Sequence, residues 1–257
     1  MVEEVVVVRR HFRADVSKSA EFQLADNAAY VQSIIDCVLE IPEFQGSDHI
    51  RRYFKPAVEG GRSIIFATAH WGNYLKTFNL IGNSFPEGAK FVALRGDRWN
   101  DDEDRLWAEI NRRSVNSIYI HRVLDRGSLI KVIRDLKAGV NAFLLFDLFS
   151  KFGKTAPLRI FEWEVNFTNR WIDMAYKSGS IVCLLKPISL HRQAPQVHSV
   201  MDAIGFSAAG SFMDACMSSC AKCLEELILE DPDFWFMWKD LDQYMSLPIQ
   251  TDRDAFD

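Results

Sequence analysis

The sequence predicts an α/β protein built on a mostly parallel central sheet flanked by helices. Three observations predict it: apolar strand-like runs at 63–68, 141–146 and 181–187, helical patterns of about ten residues between such runs, and glycines closing those helices. Alternation of this kind argues for βαβ units and a parallel sheet. With 257 residues and no internal repeat or low-complexity linker, one domain is expected. Its parts are an N-terminal helical region over 1–62 packed on the core, an α/β core over 63–245, and a tail over 246–257.

Residues 20–41 show helical spacing (Ala29, Tyr30, Ile34, Ile35, Val38, Leu39) stopped by Pro42. Residues 48–58 read as a short helix or turn, and Gly60-Gly61 break the chain before a strand at 63–68. A helix follows to about Leu80, closed by Gly82. Lys90–Leu94 is a second strand, 101–113 an amphipathic helix with Leu106, Trp107 and Ile110 on one stripe, and Ser117–Ile120 a short strand. Leu124–Lys137 is a helix ended by Gly139, and Asn141–Phe146 a buried strand with Asp147 at its end. Residues 148–158, with Gly153 and Pro157, are expected to be loop, and Arg159–Phe167 a strand. Asn169–Lys177 is helical before Gly179, Ile181–Pro187 is another buried strand, 197–204 one more, 210–230 a long helix, and 231–244 an aromatic-rich tail.

Composition sets limits on function. The chain is 48% hydrophobic and 25% charged with net charge −5, which argues against a nucleic-acid binder. No run approaches the ~18 uncharged apolar residues of a membrane span. Val5–Val8, between Glu3, Glu4 and Arg9, Arg10, is too short for a signal peptide's apolar region. A cytoplasmic protein is expected.

The richest chemistry lies at His70. A β-branched run leads into it, and Gly72 and Asn73 open the helix behind it. Core packing and metal ligation are the alternatives for such a histidine, but a strand-to-helix corner faces a cleft. Ligands of open α/β sheets bind in that crevice. The helix start disfavours a charged imidazole, and a neutral one serves as general base near pH 7. Gly72 and Asn73 shape a helix-start site that could hold an oxyanion.

The other reactive residue types read as structural. Of five cysteines, Cys216, Cys220 and Cys223 have a C-x3-C-x2-C spacing suited to an iron–sulfur cluster. They also fall on one helix face with Met213 and Leu227, and buried free cysteines behave as small apolar residues. His121, and His191 with His198, lack zinc-ligand spacing, and no G-x-S-x-G marks a serine nucleophile. From Arg105 to Lys137, eight basic residues face three acids. That local excess of positive charge suits an acidic carrier protein or a phosphate, and equally a solvated helix face. The tail run Phe234, Trp235, Phe236, Met237, Trp238 suits core capping, or contact with an interface or acyl chain.

The run T-A-H-W-G-N-Y, then V-A-L-R, L-K-A-G-V-N-A-F-L-L-F-D and D-P-D-F-W-F-M-W-K, in that order across Ser63 to Lys239, resembles the lysophospholipid acyltransferase superfamily. The nearest branch is the bacterial lipid A late acyltransferases. The resemblance implies transfer of a fatty acyl group from a thioester, on acyl carrier protein or coenzyme A, to a hydroxyl or amine. The thioester is a co-substrate carrying phosphopantetheine; no metal or other cofactor is implied. His70 matches the histidine that deprotonates the acceptor, Arg95 a basic residue near phosphate, Asp147 an acid closing a strand, and Trp235–Lys239 the closing W-x-W-basic signature. Arg98, beside Arg95, is a second phosphate candidate, since guanidinium matches phosphate bidentately.

Two departures stand out. The family motif places Asp or Glu five positions after the histidine, and position 75 here is Leu. Asp147 is the first candidate to replace that acid and Asp97 the second. Otherwise the acceptor demands less of its base, or the chain keeps acyl binding without catalysis. The hydrophobic anchor of the lipid A enzymes is also not apparent, which leaves either a lipid or small-molecule acceptor and peripheral docking at the inner membrane open.

Overall fold

The structure, a computed structural model, describes residues 54–95, 108, 111–112, 114–122, 127–148, 154–189, 192–235 and 237. The expected helix at 20–41, nearly all of the one at 101–113, the Val5–Val8 run and the 246–257 tail lie outside the described residues. A six-stranded sheet carries the fold, in the order β3-β2-β4-β1-β7-β8. Its strands are β1 (Ile64–Thr68), β2 (Phe91–Arg95), β3 (Ile118–Arg122), β4 (Asn141–Leu145), β7 (Ile181–Lys186) and β8 (Gln196–Asp202). All neighbours are parallel except β7 and β8, which pair antiparallel. The α/β class with a mostly parallel sheet is therefore as expected.

β1 is wholly buried, because parallel strands covered on both faces need apolar side chains on both. Its side chains divide by parity. Ile64 and Phe66 join Phe91, Phe143 and Cys183 against Phe78, Ile81 and Phe85. Ile65 and Ala67 join Val92, Leu144 and Leu184 on the other face, against Leu136, Ile172 and Leu224. Helix α1 (Tyr74–Ser84) supplies the first cover, and α2 (Ser128–Lys137), α3 (Arg170–Ser178) and α4 (Ala209–Glu230) the second. The Phe91 and Phe143 rings stack at 5.0 Å between centroids.

The chain leaves β1 through α1 on one face toward β2, and leaves β4 through α3 on the other toward β7. β1 and β4 are neighbours, so their carboxyl ends diverge to opposite faces and open the crevice of a topological switch point.

Three expectations are corrected. Residues 155–158 are not loop, and 159–167 is not one strand: β5 (Thr155–Ile160) and β6 (Trp163–Thr168) form an antiparallel hairpin. Pro157 lies within β5 opposite Asn166; a two-stranded ribbon has only edge strands, where a missing N–H is tolerated. The turn at Phe161 has φ +53° with no glycine or asparagine to announce it; its N–H donates to Glu225 of α4. Helix α1 also runs past Gly82 to Ser84, with Phe85 as C-cap. Asn116 replaces a glycine cap there, donating to the carbonyls of Gly82 at 2.9 Å and Phe85 at 3.1 Å. Helix α2 begins after Gly127, which sits at its N-cap with φ +91°.

No helix among the described residues is long and apolar enough to cross a membrane.

Candidate active site

The parallel register sets Thr68 beside Leu145, and the Phe146 N–H donates to the Thr68 carbonyl at 2.9 Å. Two residues further along each chain are His70 and Asp147. His70 Nδ1 lies 2.8 Å from Asp147 Oδ1, and the His70 backbone N–H donates to Oδ2 at 2.8 Å. The indole Nε1 of Trp235 donates to the same Oδ2, also at 2.8 Å. Asp147 is fully buried, whereas the His70 side chain is 19% exposed. A carboxylate taken out of water needs such donors. Bonding at Nδ1 puts the imidazole proton there and leaves the Nε2 lone pair for a reactant. The structure thus brings together the two residues that the sequence nominated as base and acid.

No family model matches this chain, and no curated protein does.

Trp71, Gly72 and Asn73 form the corner between β1 and α1. The Gly72 N–H donates to the Phe234 carbonyl at 3.1 Å and the Asn73 N–H to that of Ile188 at 2.8 Å. Those two N–H groups already serve as bonds between segments, and Gly72 and Asn73 also have structural duties. Gly72 has φ +55°, and a Cβ built there would lie 2.5 Å from the Ile188 oxygen. Gly72→Ala is expected to lower the melting temperature by several degrees, because left-handed strain and the clash together exceed about 1–3 kcal/mol. An unchanged thermal melt would show that the corner tolerates a side chain. Asn73 caps α1, its Oδ1 accepting from the Lys76 N–H at 2.9 Å.

The ring of Tyr74 meets that of His70 edge-on, with centroids 5.6 Å apart. Leu75, at the family's acid position, packs beside the apolar cluster under α1. With Asp147 already on Nδ1, Leu75→Asp is expected to give no gain in activity and to cost about 1 kcal/mol of stability through lost burial. Thermal melts and turnover of that variant check both; increased turnover would mean Asp147 is not the orienting acid.

Arg95 ends β2, two strands from β1 at the same end of the sheet, about 10 Å away at the usual strand spacing. Arg98 and Asp97 lie outside the described residues.

The cysteines are as their apolar reading expects. Cys183, Cys216, Cys220 and Cys223 are free and buried. Burial pushes the thiols of Cys216 and Cys223 up to about 12 and that of Cys220 well above its ordinary value. A neutral thiol is a poor nucleophile. No group of metal-ligating side chains occurs among the described residues. His121 pairs with Asp135 at 3.1 Å and His198 with Glu226 at 3.5 Å. Burial holds His198 below its usual value.

The W-x-W-basic signature and the apolar tail run both include Trp235, but neither states its bond to Asp147; only its indole N–H, a donor that must be satisfied when buried, hints at a specific partner.

Proposed function

We propose that the chain transfers a fatty acyl group from a carrier-protein or coenzyme A thioester to a hydroxyl or amine acceptor. The observation that carries this reading is the His70–Asp147 pair, with Nε2 turned away from its carboxylate at the mouth of a switch-point crevice. The resemblance of the T-A-H-W-G-N-Y segment and the segments after it to lysophospholipid acyltransferases names the reaction class.

In this reaction Nε2 of His70 takes the acceptor's proton as the acceptor oxygen or nitrogen attacks the thioester carbonyl carbon. The tetrahedral intermediate collapses with cleavage of the C–S bond. The imidazolium returns its proton to the departing thiolate, so the products are an ester or amide and a free thiol. Asp147 holds the tautomer and stabilises the imidazolium. Arg95 and Arg98 receive the phosphopantetheine phosphate, and an acidic carrier protein docks on the basic segment from Arg105 to Lys137. Lipid acceptors bring the protein to the surface of the inner membrane; small-molecule acceptors leave it in the cytoplasm.

The engaged N–H groups of Gly72 and Asn73 favour a second reading, in which the chain binds an acylated carrier or lipid as a partner module without turning it over. One experiment separates the two. Acyl carrier protein and coenzyme A thioesters of several chain lengths are incubated with lysophospholipid, lipid A precursor and amine acceptors, and products are read by mass spectrometry. Acyl transfer supports the enzyme. Tight binding of an acylated carrier with no thiol release in any combination supports the module.

A further inference from the structure

The segment 231–235 reaches the site from the far end of the sequence and bonds to it at several points. After α4 ends, residues Pro232–Phe234 make a 3-10 turn. Trp235 then forms an antiparallel bridge with Trp71, next to His70. The Trp71 indole donates to the Asp231 carbonyl at 2.9 Å, and the Phe234 carbonyl accepts the Gly72 N–H. These contacts fasten the strap to the corner that carries His70. One further contact goes to the carboxylate itself, from Trp235 Nε1 to Asp147 Oδ2. Trp235 is 3% exposed, so its N–H is directed rather than solvated.

The geometry of the carboxylate gives that bond its purpose. Oδ1 faces the imidazole, and Oδ2 takes both the His70 backbone N–H and the Trp235 indole. A carboxylate held by one edge is free to turn about its Cβ–Cγ bond. Two donors on Oδ2, from different segments, stop that rotation and keep Oδ1 in line with Nδ1. A free histidine in water favours the proton on Nε2, the opposite of what a base at Nε2 requires. The preference must therefore be imposed by a fixed acceptor.

We infer that Trp235 is a positioning residue: by holding Asp147 through its indole N–H, it sets the tautomer of His70, so that the strap 231–235 completes the site. Its catalytic consequence rests on the acyl transfer proposed above, but its effect on the tautomer does not.

The test uses the full chain labelled with ¹⁵N-histidine, in which long-range proton–nitrogen spectra report the tautomer. His70→Ala assigns the His70 signals among the six histidines. Two replacements remove the donor: Trp235→Phe, and incorporation of 3-benzothienylalanine at position 235, which keeps the fused-ring shape and loses only the N–H. Trp171→Phe is the control, since Trp171 is equally a core residue but its buried indole nitrogen has no hydrogen-bond partner among the described residues. The wild type is expected to show an unprotonated Nε2. Both changes at position 235 shift signal toward the Nε2–H form, and the control does not. Where turnover is measurable, kcat falls about tenfold with KM little changed, the effect of one hydrogen bond to a charged group.

A benzothienylalanine protein with the wild-type tautomer overturns the inference. So does a Trp171→Phe protein that shifts it as far, since that would trace the effect to loosened packing. A shifted tautomer in a protein that transfers no acyl group leaves the positioning role standing and removes the reaction. Turnover that needs His70 but ignores position 235 does the reverse.

Discussion

His70→Ala is expected to lower kcat for the proposed acyl transfer by about 10²–10⁴-fold, the usual contribution of a general base. The expectation rests on Nε2 being the lone pair left by the bond from Nδ1 to Asp147. The residual rate would come from the activated thioester and from binding. The variant also removes one of the donors to a buried carboxylate, which costs about 1–3 kcal/mol. A thermal melt must therefore accompany the assay, so that lost activity is separated from lost fold. Added imidazole should restore part of the rate if the truncated side chain leaves room for it. Turnover indifferent to the substitution would remove His70 from the mechanism whatever its geometry.

Asp147→Asn is expected to cost nearly as much. The amide keeps the volume, and its oxygen still accepts from the His70 backbone N–H and the Trp235 indole when turned to their side. Its NH₂ group then faces Nδ1, which must give up its proton and accept. The proton moves to Nε2 and the base is lost. Substitutions of this type in a Ser-His-Asp site cost about 10⁴-fold through the wrong tautomer. Because the two side chains act as one unit, the double variant His70→Ala with Asp147→Asn should be no slower than His70→Ala alone. Additive losses in that cycle, or an Asp147→Asn enzyme within tenfold of wild type, would show that Asp147 does not orient His70.

The elements that were legible are those whose own residues state their environment. Ile64–Ala67, Ala142–Leu144 and Val182–Leu185 are apolar on both faces because the sheet buries both. Gly179, the left-handed C-cap of α3, marks the end of that helix in the sequence. The hairpin of β5 and β6 was not legible, because its turn runs through Phe161 and Glu162 and its first strand contains Pro157. Both choices are permitted by the surroundings, the Glu225 carboxylate accepting the Phe161 N–H and the pair having no third strand among the described residues.

The same division runs through the site. The sequence by itself determined that His70 stands where an apolar strand meets a helix and that Asp147 closes another such strand, since each is a polar residue ending an apolar run. It determined too that position 75 holds no acid. Only the tertiary structure decided that β4 lies against β1, with Thr68 beside Leu145, which brings residues 77 positions apart to 2.8 Å. It alone assigned the Gly72 and Asn73 N–H groups to the Phe234 and Ile188 carbonyls and the Trp235 indole to Asp147. The physical reason is one of range. Hydrophobic periodicity and caps are local, whereas strand order and hydrogen-bond partners depend on which distant segments the core brings together.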